Sequence, residues 1–181
     1  MSDATVTAFV GDSLTERGDW QALLPGETVV NLGVGGNTTT DLLGRIDEVV
    51  AVRPAAVVLE IGTNDFAWRL PVEQVVENIE TILTTLRERL PDAHVLVQSI
   101  LPRQAEYAHV VRGVNEQLSR FAPTVSCRYL DLWPVLAGED GGLKSEYTVD
   151  GLHLTAAGYA AWSAALKPVI ETLAQTPAAD A

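Results

Sequence analysis

The chain has one cysteine, Cys127, in 181 residues. A lone thiol excludes an internal disulfide and any zinc cluster built on several thiolates. Its segment, VSCRYLDLW, is apolar, so a small buried thiol is expected there. Basic residues are also scarce: 12 Lys and Arg stand against 24 Asp and Glu, a formal charge of −12. A phosphate-backbone partner needs clustered Lys and Arg, so nucleic acid is excluded as a partner class. The same negative field slows the approach of polyanionic substrates. No window reaches the roughly 18 apolar residues of a membrane span. MSDATVTAF shows no basic stretch leading into an apolar core, so a signal peptide is not expected and a cytoplasmic protein is. Repeats and low-complexity linkers are missing too. The length then suits a single domain over 1–181, with its core at about 5–174 and a frayed tail over 175–181.

What is present is an alternation of two periodicities. TVTAFVG, TVVNLGVGG, AAVVLEIGTND, AHVLVQSILP and SCRYLDLW read as five strands, and the continuous apolar run of the third implies burial on both faces. Thr38 or Thr39 is placed to cap a helix through TDLLGRIDEVVAV that stops before Arg53-Pro54. Pro71 suits the first turn of a second helix, in which Val72, Val75, Val76, Ile79, Ile82, Leu83, Leu86 and Leu90 fall at helical spacing. A third helix is expected over Val110–Phe121. A fourth starts after Thr155 in AAGYAAWSAALKPVIETL, with Pro168 bending or breaking it. Five strands alternating with helices imply an α/β fold with a parallel sheet covered on both faces. In such sheets ligands sit beyond the carboxyl ends of the strands.

The residues at those ends are chemically loaded. They are Gly11-Asp12-Ser13, Gly33 to Asn37, Gly62-Thr63-Asn64-Asp65 and Leu101-Pro102-Arg103, joined late in the chain by Asp150-Gly151-Leu152-His153. A serine hydroxyl is a poor nucleophile until a base takes its proton, and a neutral imidazole does this at pH 7. Asp150, three residues before His153, can accept the other ring N–H and stabilise the imidazolium that forms. The tetrahedral intermediate carries negative charge on the former carbonyl oxygen. The backbone N–H groups of Ser13 and Gly36 and the neutral amide of Asn64 are donors suited to it, whereas an aspartate at 64 would repel it.

GDSLT, NLGVGGNTT, IGTND and DGLHLT occur in the order and approximate spacing of the SGNH hydrolases, the GDSL-type lipases and esterases, which the chain resembles from about Val6 to Leu173. Through NLGVGGNTT and SILPR it looks most like the subgroup of platelet-activating-factor acetylhydrolase catalytic subunits. The resemblance implies a flavodoxin-like three-layer α/β/α sandwich with a five-stranded parallel sheet. It also implies hydrolysis of carboxylic esters without metal or cofactor, with a small-molecule ester as the partner. It maps the nucleophile to Ser13, the acid and base to Asp150 and His153, and the oxyanion hole to Ser13, Gly36 and Asn64. Gly36 is preferred to Gly35 because it directly precedes the Asn-Thr pair.

Other motifs fail. GVGGNT has Thr38 where a dinucleotide fingerprint needs its third glycine, no GK[ST] follows a glycine loop, and Thr15 replaces the last glycine of a G-x-S-x-G elbow. Two alternatives keep the same fold: a non-catalytic carbohydrate- or ligand-binding domain, and an acyltransferase using the same site. Asp12, Asp65, Asp150 and His153 lack metal-ligand spacing. Asp12 and Asp65 are expected to bond loop amides. Glu60, a charge inside an apolar strand, is expected to be paired or to reach solvent at the rim. His94 and His109 read as surface or packing residues. With no long insertion to form a lid, the pocket is expected to be open and shallow, which suits short acyl groups such as acetyl. Asp150→Asn is expected to be milder than Ser13→Ala, since a backbone carbonyl of the short loop could partly orient the ring.

Overall fold

The computed structural model describes residues 6–173; the expected tail at 175–181 lies outside them. The five strands are β1 (Val6–Gly11), β2 (Thr28–Gly33), β3 (Ala56–Glu60), β4 (His94–Gln98) and β5 (Arg128–Leu130). All pair in parallel, in the order β2-β1-β3-β4-β5. This is the flavodoxin-like order, and its reversal point lies between β1 and β3. Gly11, the last residue of β1, therefore sits between Gly33 of β2 and Glu60 of β3.

Alternation along the strands sends side chains into two cores. Ala8, Val10, Val57, Leu59, Val95 and Val97 face the first, covered by α3 (Thr39–Gly44), α4 (Ile46–Val52), α6 (Val72–Arg89) and α7 (Ala108–Phe121). Phe9, Val58 and Leu96 face the second, covered by α1 (Ser13–Glu16), α2 (Trp20–Leu23), α8 (Trp133–Leu136) and α9 (Ala156–Leu173). The remaining short helix, α5 (Thr63–Ala67), follows β3 directly. Of the apolar positions read at helical spacing on α6, Val75, Val76, Ile79, Ile82, Leu83 and Leu86 are buried, as is Leu90 just beyond its end. On the other face Phe9 stacks on Trp20 at 4.4 Å, and Trp20 meets Trp162 edge-on at 4.8 Å.

Two local expectations change and a third is narrowed. The helix read through residues 40–52 is two helices, parted at Arg45 (φ −121°, ψ 17°). The Arg45 side chain is drawn inward: Nε donates to Asn37 Oδ1 at 2.6 Å and Nη2 to the Gly11 carbonyl at 3.0 Å. Thr38, not Thr39, is the cap, in a capping box with Asp41. Finally, Pro168 does not break α9, which runs through it to Leu173. Both Pro168 and Ala164, whose carbonyl loses its i+4 donor, are exposed, and burial of Leu166, Ile170 and Leu173 holds the helix across the gap. Cys127 is a buried thiol as expected, and burial pushes it up to about 12.

Candidate active site

Ser13 is the first residue of α1, a single turn immediately beyond β1. Asp12 caps that turn, its Oδ1 accepting the Leu14 N–H at 2.9 Å. The turn lies so close to β3 that a Cβ at Gly11 would stand 2.1 Å from the Glu60 carbonyl oxygen and 2.3 Å from Thr15 Oγ1. Glycine is thus a steric requirement one residue before the cap. Trp20 Nε1 and Asn31 Nδ2 both donate to the Thr15 carbonyl, at 2.8 and 3.0 Å, and fasten the other end of the turn.

The loop before α9 brings His153 to this serine from 140 residues away: Ser13 Oγ and His153 Nε2 are 3.3 Å apart. His153 Nδ1 lies 2.7 Å from Asp150 Oδ2. A carboxylate can only accept, so Nδ1 carries the proton and Nε2 presents its lone pair to the hydroxyl. The other Asp150 oxygen, Oδ1, accepts the backbone N–H groups of His153 at 2.7 Å and Leu152 at 2.9 Å. The His153 ring and these amides hold the Asp150 carboxyl well below the usual carboxylate range. Thr148, which sequence reasoning passed over, ties this loop. Its hydroxyl accepts the Gly151 N–H at 3.0 Å and donates to the His153 carbonyl at 2.8 Å. The signal was present as a Thr two residues ahead of Asp-Gly, a side-chain turn pattern. Gly151 has φ +76°, a backbone that a side chain would strain.

The expected oxyanion donors come from two further loops. Gly36 has φ +80° in the turn after β2, closed by Asn37 N–H to the Val34 carbonyl at 3.2 Å. Asn64, in α5, donates one amide hydrogen to the Asn37 carbonyl at 2.9 Å, so its second hydrogen is left over. Among the described residues, no protein acceptor takes the backbone N–H of Ser13 or Gly36. Arg45 steadies the β2 loop through Asn37, a role not visible in the sequence because the guanidinium is also held by the Gly11 carbonyl, 34 residues away. Arg103 steadies the β3 loop: Nη1 donates to the Thr63 carbonyl at 2.8 Å, and the guanidinium lies 4.1 Å over the Tyr107 ring.

The buried acids divide. Asp65 accepts the Thr39 N–H and hydroxyl, and Asp12 the Leu14 N–H, so both bond backbone amides, though those of the first turns of α3 and α1 rather than of loops. Glu60 departs from expectation: it is fully buried, and neither carboxyl oxygen has a hydrogen-bond partner. Asp12 Oδ2 is likewise buried and unpartnered. Desolvation raises both groups, Asp12 to about 7 and Glu60 well above its ordinary value; the Asp12 charge raises Glu60 further, and the Asp65 charge raises Asp12. Among the described residues, no cluster of three or more His, Cys, Asp or Glu side chains is arranged to hold a metal ion.

A cleft of about 930 Å³ lined by His109, Arg112, Tyr129 and Trp133 lies along α7 and contains none of Ser13, Asp150 or His153. His153 and Asp150 reach the surface instead, their side chains 26% and 49% exposed, while Ser13 beneath them is buried.

A five-stranded parallel α/β/α sandwich with a serine hydroxyl, an imidazole and a carboxylate linked at the carboxyl edge of the sheet has the architecture of a hydrolase. Residues 9–161 match the GDSL-like lipase/acylhydrolase family, and the chain belongs to that family. It is 31% identical over 162 residues to platelet-activating factor acetylhydrolase IB subunit alpha1 of Homo sapiens, covering 83% of this chain and 69% of that one. With the alpha2 subunit of Rattus norvegicus it shares 29% identity, over 93% of this chain and 78% of the relative. A GDSL-like lipase from Bacteroides thetaiotaomicron superposes with a TM-score of 0.80 at 26% identity, covering 93% of this chain and 88% of that one. The chain is accordingly a hydrolase with the GDSL fold.

Proposed function

We propose that this hydrolase is a serine esterase that removes short acyl groups, acetyl foremost, from small esters. The observation that carries the reading is the continuous relay from Ser13 Oγ through His153 to Asp150, at 3.3 and 2.7 Å. His153 Nε2 takes the serine proton as Ser13 attacks the ester carbonyl. Asp150 holds the ring in the tautomer this requires and stabilises the imidazolium. The N–H groups of Ser13 and Gly36 and the free hydrogen of the Asn64 amide stabilise the oxyanion. The imidazolium then protonates the leaving alcohol, and water attacks the acyl-enzyme with His153 again as base.

Three features favour a short acyl group and an uncharged, partly apolar substrate. The site is open at the surface, with no long insertion over it. Among the described residues, the large hydrophobics that are exposed are Val34, Trp68 and Val149, at 40, 73 and 91%. Each stands within four residues of Gly36, Asn64 or Asp150, so the loops of the site carry the exposed apolar surface. The net charge of −12 disfavours anionic substrates. The relatives' name speaks of an acetylhydrolase, which agrees with this acyl preference. A non-catalytic binding domain would have no use for a serine held against a carboxylate-oriented imidazole.

A series of p-nitrophenyl esters of increasing acyl length, with Ser13→Ala as the control, tests the proposal. The expected result is highest kcat/KM at acetyl and loss of turnover in the control. A maximum at long acyl chains overturns the acyl preference, and turnover surviving in Ser13→Ala overturns the mechanism.

A further inference from the structure

Asp12 and Glu60 are not accounted for by the relay, yet they lie directly beneath the nucleophile. Glu60 ends β3 opposite Gly11, and Asp12 directly follows Gly11 at the end of β1 and caps the turn bearing Ser13. Both side chains are fully buried. Three of their four carboxyl oxygens, Asp12 Oδ2 and both Glu60 oxygens, have no hydrogen-bond donor. A buried carboxylate without donors or a facing cation is too costly to persist, and such a group keeps its proton instead.

The surroundings decide which of the two is the neutral one. Asp12 has the Leu14 N–H as donor and feels the positive charge of Arg103 from the loop after β4. Asp65 of α5 faces it with a like charge. Glu60 faces the Asp12 carboxyl and, from α9, the Tyr159 phenol. The Tyr159 hydroxyl donates to the Leu14 carbonyl at 2.7 Å, so its proton is already engaged. Arg17 acts on Tyr159 rather than on Glu60. The backbone N–H of Leu101 gives Glu60 partial relief without completing a hydrogen bond. Glu60 is therefore the group without a compensating charge.

We propose that Asp12 and Glu60 form a buried proton-holding pair in which Glu60 is the neutral member, positioning the Ser13 turn without placing a second negative charge beneath the oxyanion. Glu60 touches no reacting atom; it is a positioning residue that acts through Asp12 and the local field. The catalytic consequence rests on the esterase reading. Negative charge develops on the carbonyl oxygen in the transition state, and a second buried anion under the same turn would oppose it. A proton retained on Glu60 removes that opposition at neutral pH.

Two measurements separate this inference from the esterase reading. Difference infrared spectroscopy detects a protonated carboxyl directly, with no need for turnover. The expected result is a protonated-carboxyl C=O band at pH 7 in the wild type and in Ser13→Ala, with the Glu60 component gone in Glu60→Gln. Absence of any such band in the folded wild type at pH 7 overturns the proposal, and this holds even if Glu60→Gln fails to fold. The second measurement is the pH profile of ester hydrolysis. Glu60→Gln supplies the same neutral shape and should keep kcat within about threefold at pH 7. In the wild type, kcat should fall at alkaline pH by about tenfold per unit once the pair loses its last proton, and this limb should vanish in Glu60→Gln. An alkaline limb unchanged in that variant overturns the charge role. If the band is present and no ester is cleaved, the esterase reading fails while the proton-holding pair stands.

Discussion

Asp150→Asn is the perturbation for which the geometry makes the least obvious prediction. In the native loop, Asp150 Oδ1 accepts two backbone N–H groups and Oδ2 accepts the ring N–H of His153. Asparagine has one acceptor oxygen and one NH₂. If the oxygen stays on the two amides, the NH₂ points at Nδ1 and forces that nitrogen to become an acceptor. The proton then moves to Nε2, which faces Ser13 as a donor and cannot take the hydroxyl proton. The opposite amide orientation sets NH₂ against two N–H donors. The His153 carbonyl is already engaged by the Thr148 hydroxyl. The geometry thus predicts a severe effect where the sequence pointed to a mild one. The wrong-tautomer effect is worth roughly 10⁴ in kcat in the serine protease worked out for this substitution, or about 5 kcal/mol of transition-state stabilisation. Asp150→Ala forces no tautomer but leaves the imidazolium without its carboxylate, and removing the triad aspartate costs about 3 × 10⁴ in kcat in a worked case, so it should be of similar severity. Stopped-time assays with p-nitrophenyl acetate on both variants, with folding checked by circular dichroism, decide the point. An asparagine variant that keeps more than about a tenth of the wild-type kcat would refute the tautomer argument.

Other outcomes follow from the same contacts. Asn64→Ala should lower kcat by roughly 10²–10³-fold with little change in KM, because its donor acts on charge that exists only in the transition state. Gly11→Ala places a Cβ against the Glu60 carbonyl and Thr15, and urea unfolding should show a loss of about 3 kcal/mol or more. Stability should fall with rising pH. Asp12 and Glu60 have folded values raised above their unfolded ones, so their protons are kept on folding and lost on unfolding. The unfolding free energy is then greatest below the ordinary carboxylate range. For Asp12 it falls between pH 3.8 and about 7. The slope is about 1.4 kcal/mol per pH unit for each retained proton. Asp65 acts in the same direction, while Asp41 and Asp150, held low, act oppositely and only below their ordinary range. Urea titrations at several pH values should show this decline, and a shallower one in Glu60→Gln. Cys127, buried and pushed up to about 12, should resist thiol reagents until the protein is unfolded.

The parts of the molecule that could be read from the residues are those governed by local pattern. The unbroken apolar run of β3 is buried at every position, and the helical spacing of α6 reappears as its buried stripe. Ser13, Gly36 and Asn64 announce themselves because each follows a strand, whereas Asp150 and His153 lie in the loop before α9. What escaped is set by distant partners. The break at Arg45 depends on Asn37 and on the Gly11 carbonyl, 34 residues away. Pro168 is tolerated because its helix is pinned by the packing of Leu166, Ile170 and Leu173, which no local rule weighs. Glu60 looked like a charge needing a partner or water. Only the packing of Gly11 against β3 and the closure of α9 above it show that it receives neither.

The account turns on whether the hydroxyl of Ser13 is an activated nucleophile. A fluorophosphonate probe reacts with such serines, and peptide mass spectrometry locates the adduct. The account predicts stoichiometric labelling of the folded protein at Ser13 alone, abolished in His153→Ala. A folded wild-type chain that stays unlabelled, or one labelled equally without His153, would contradict it.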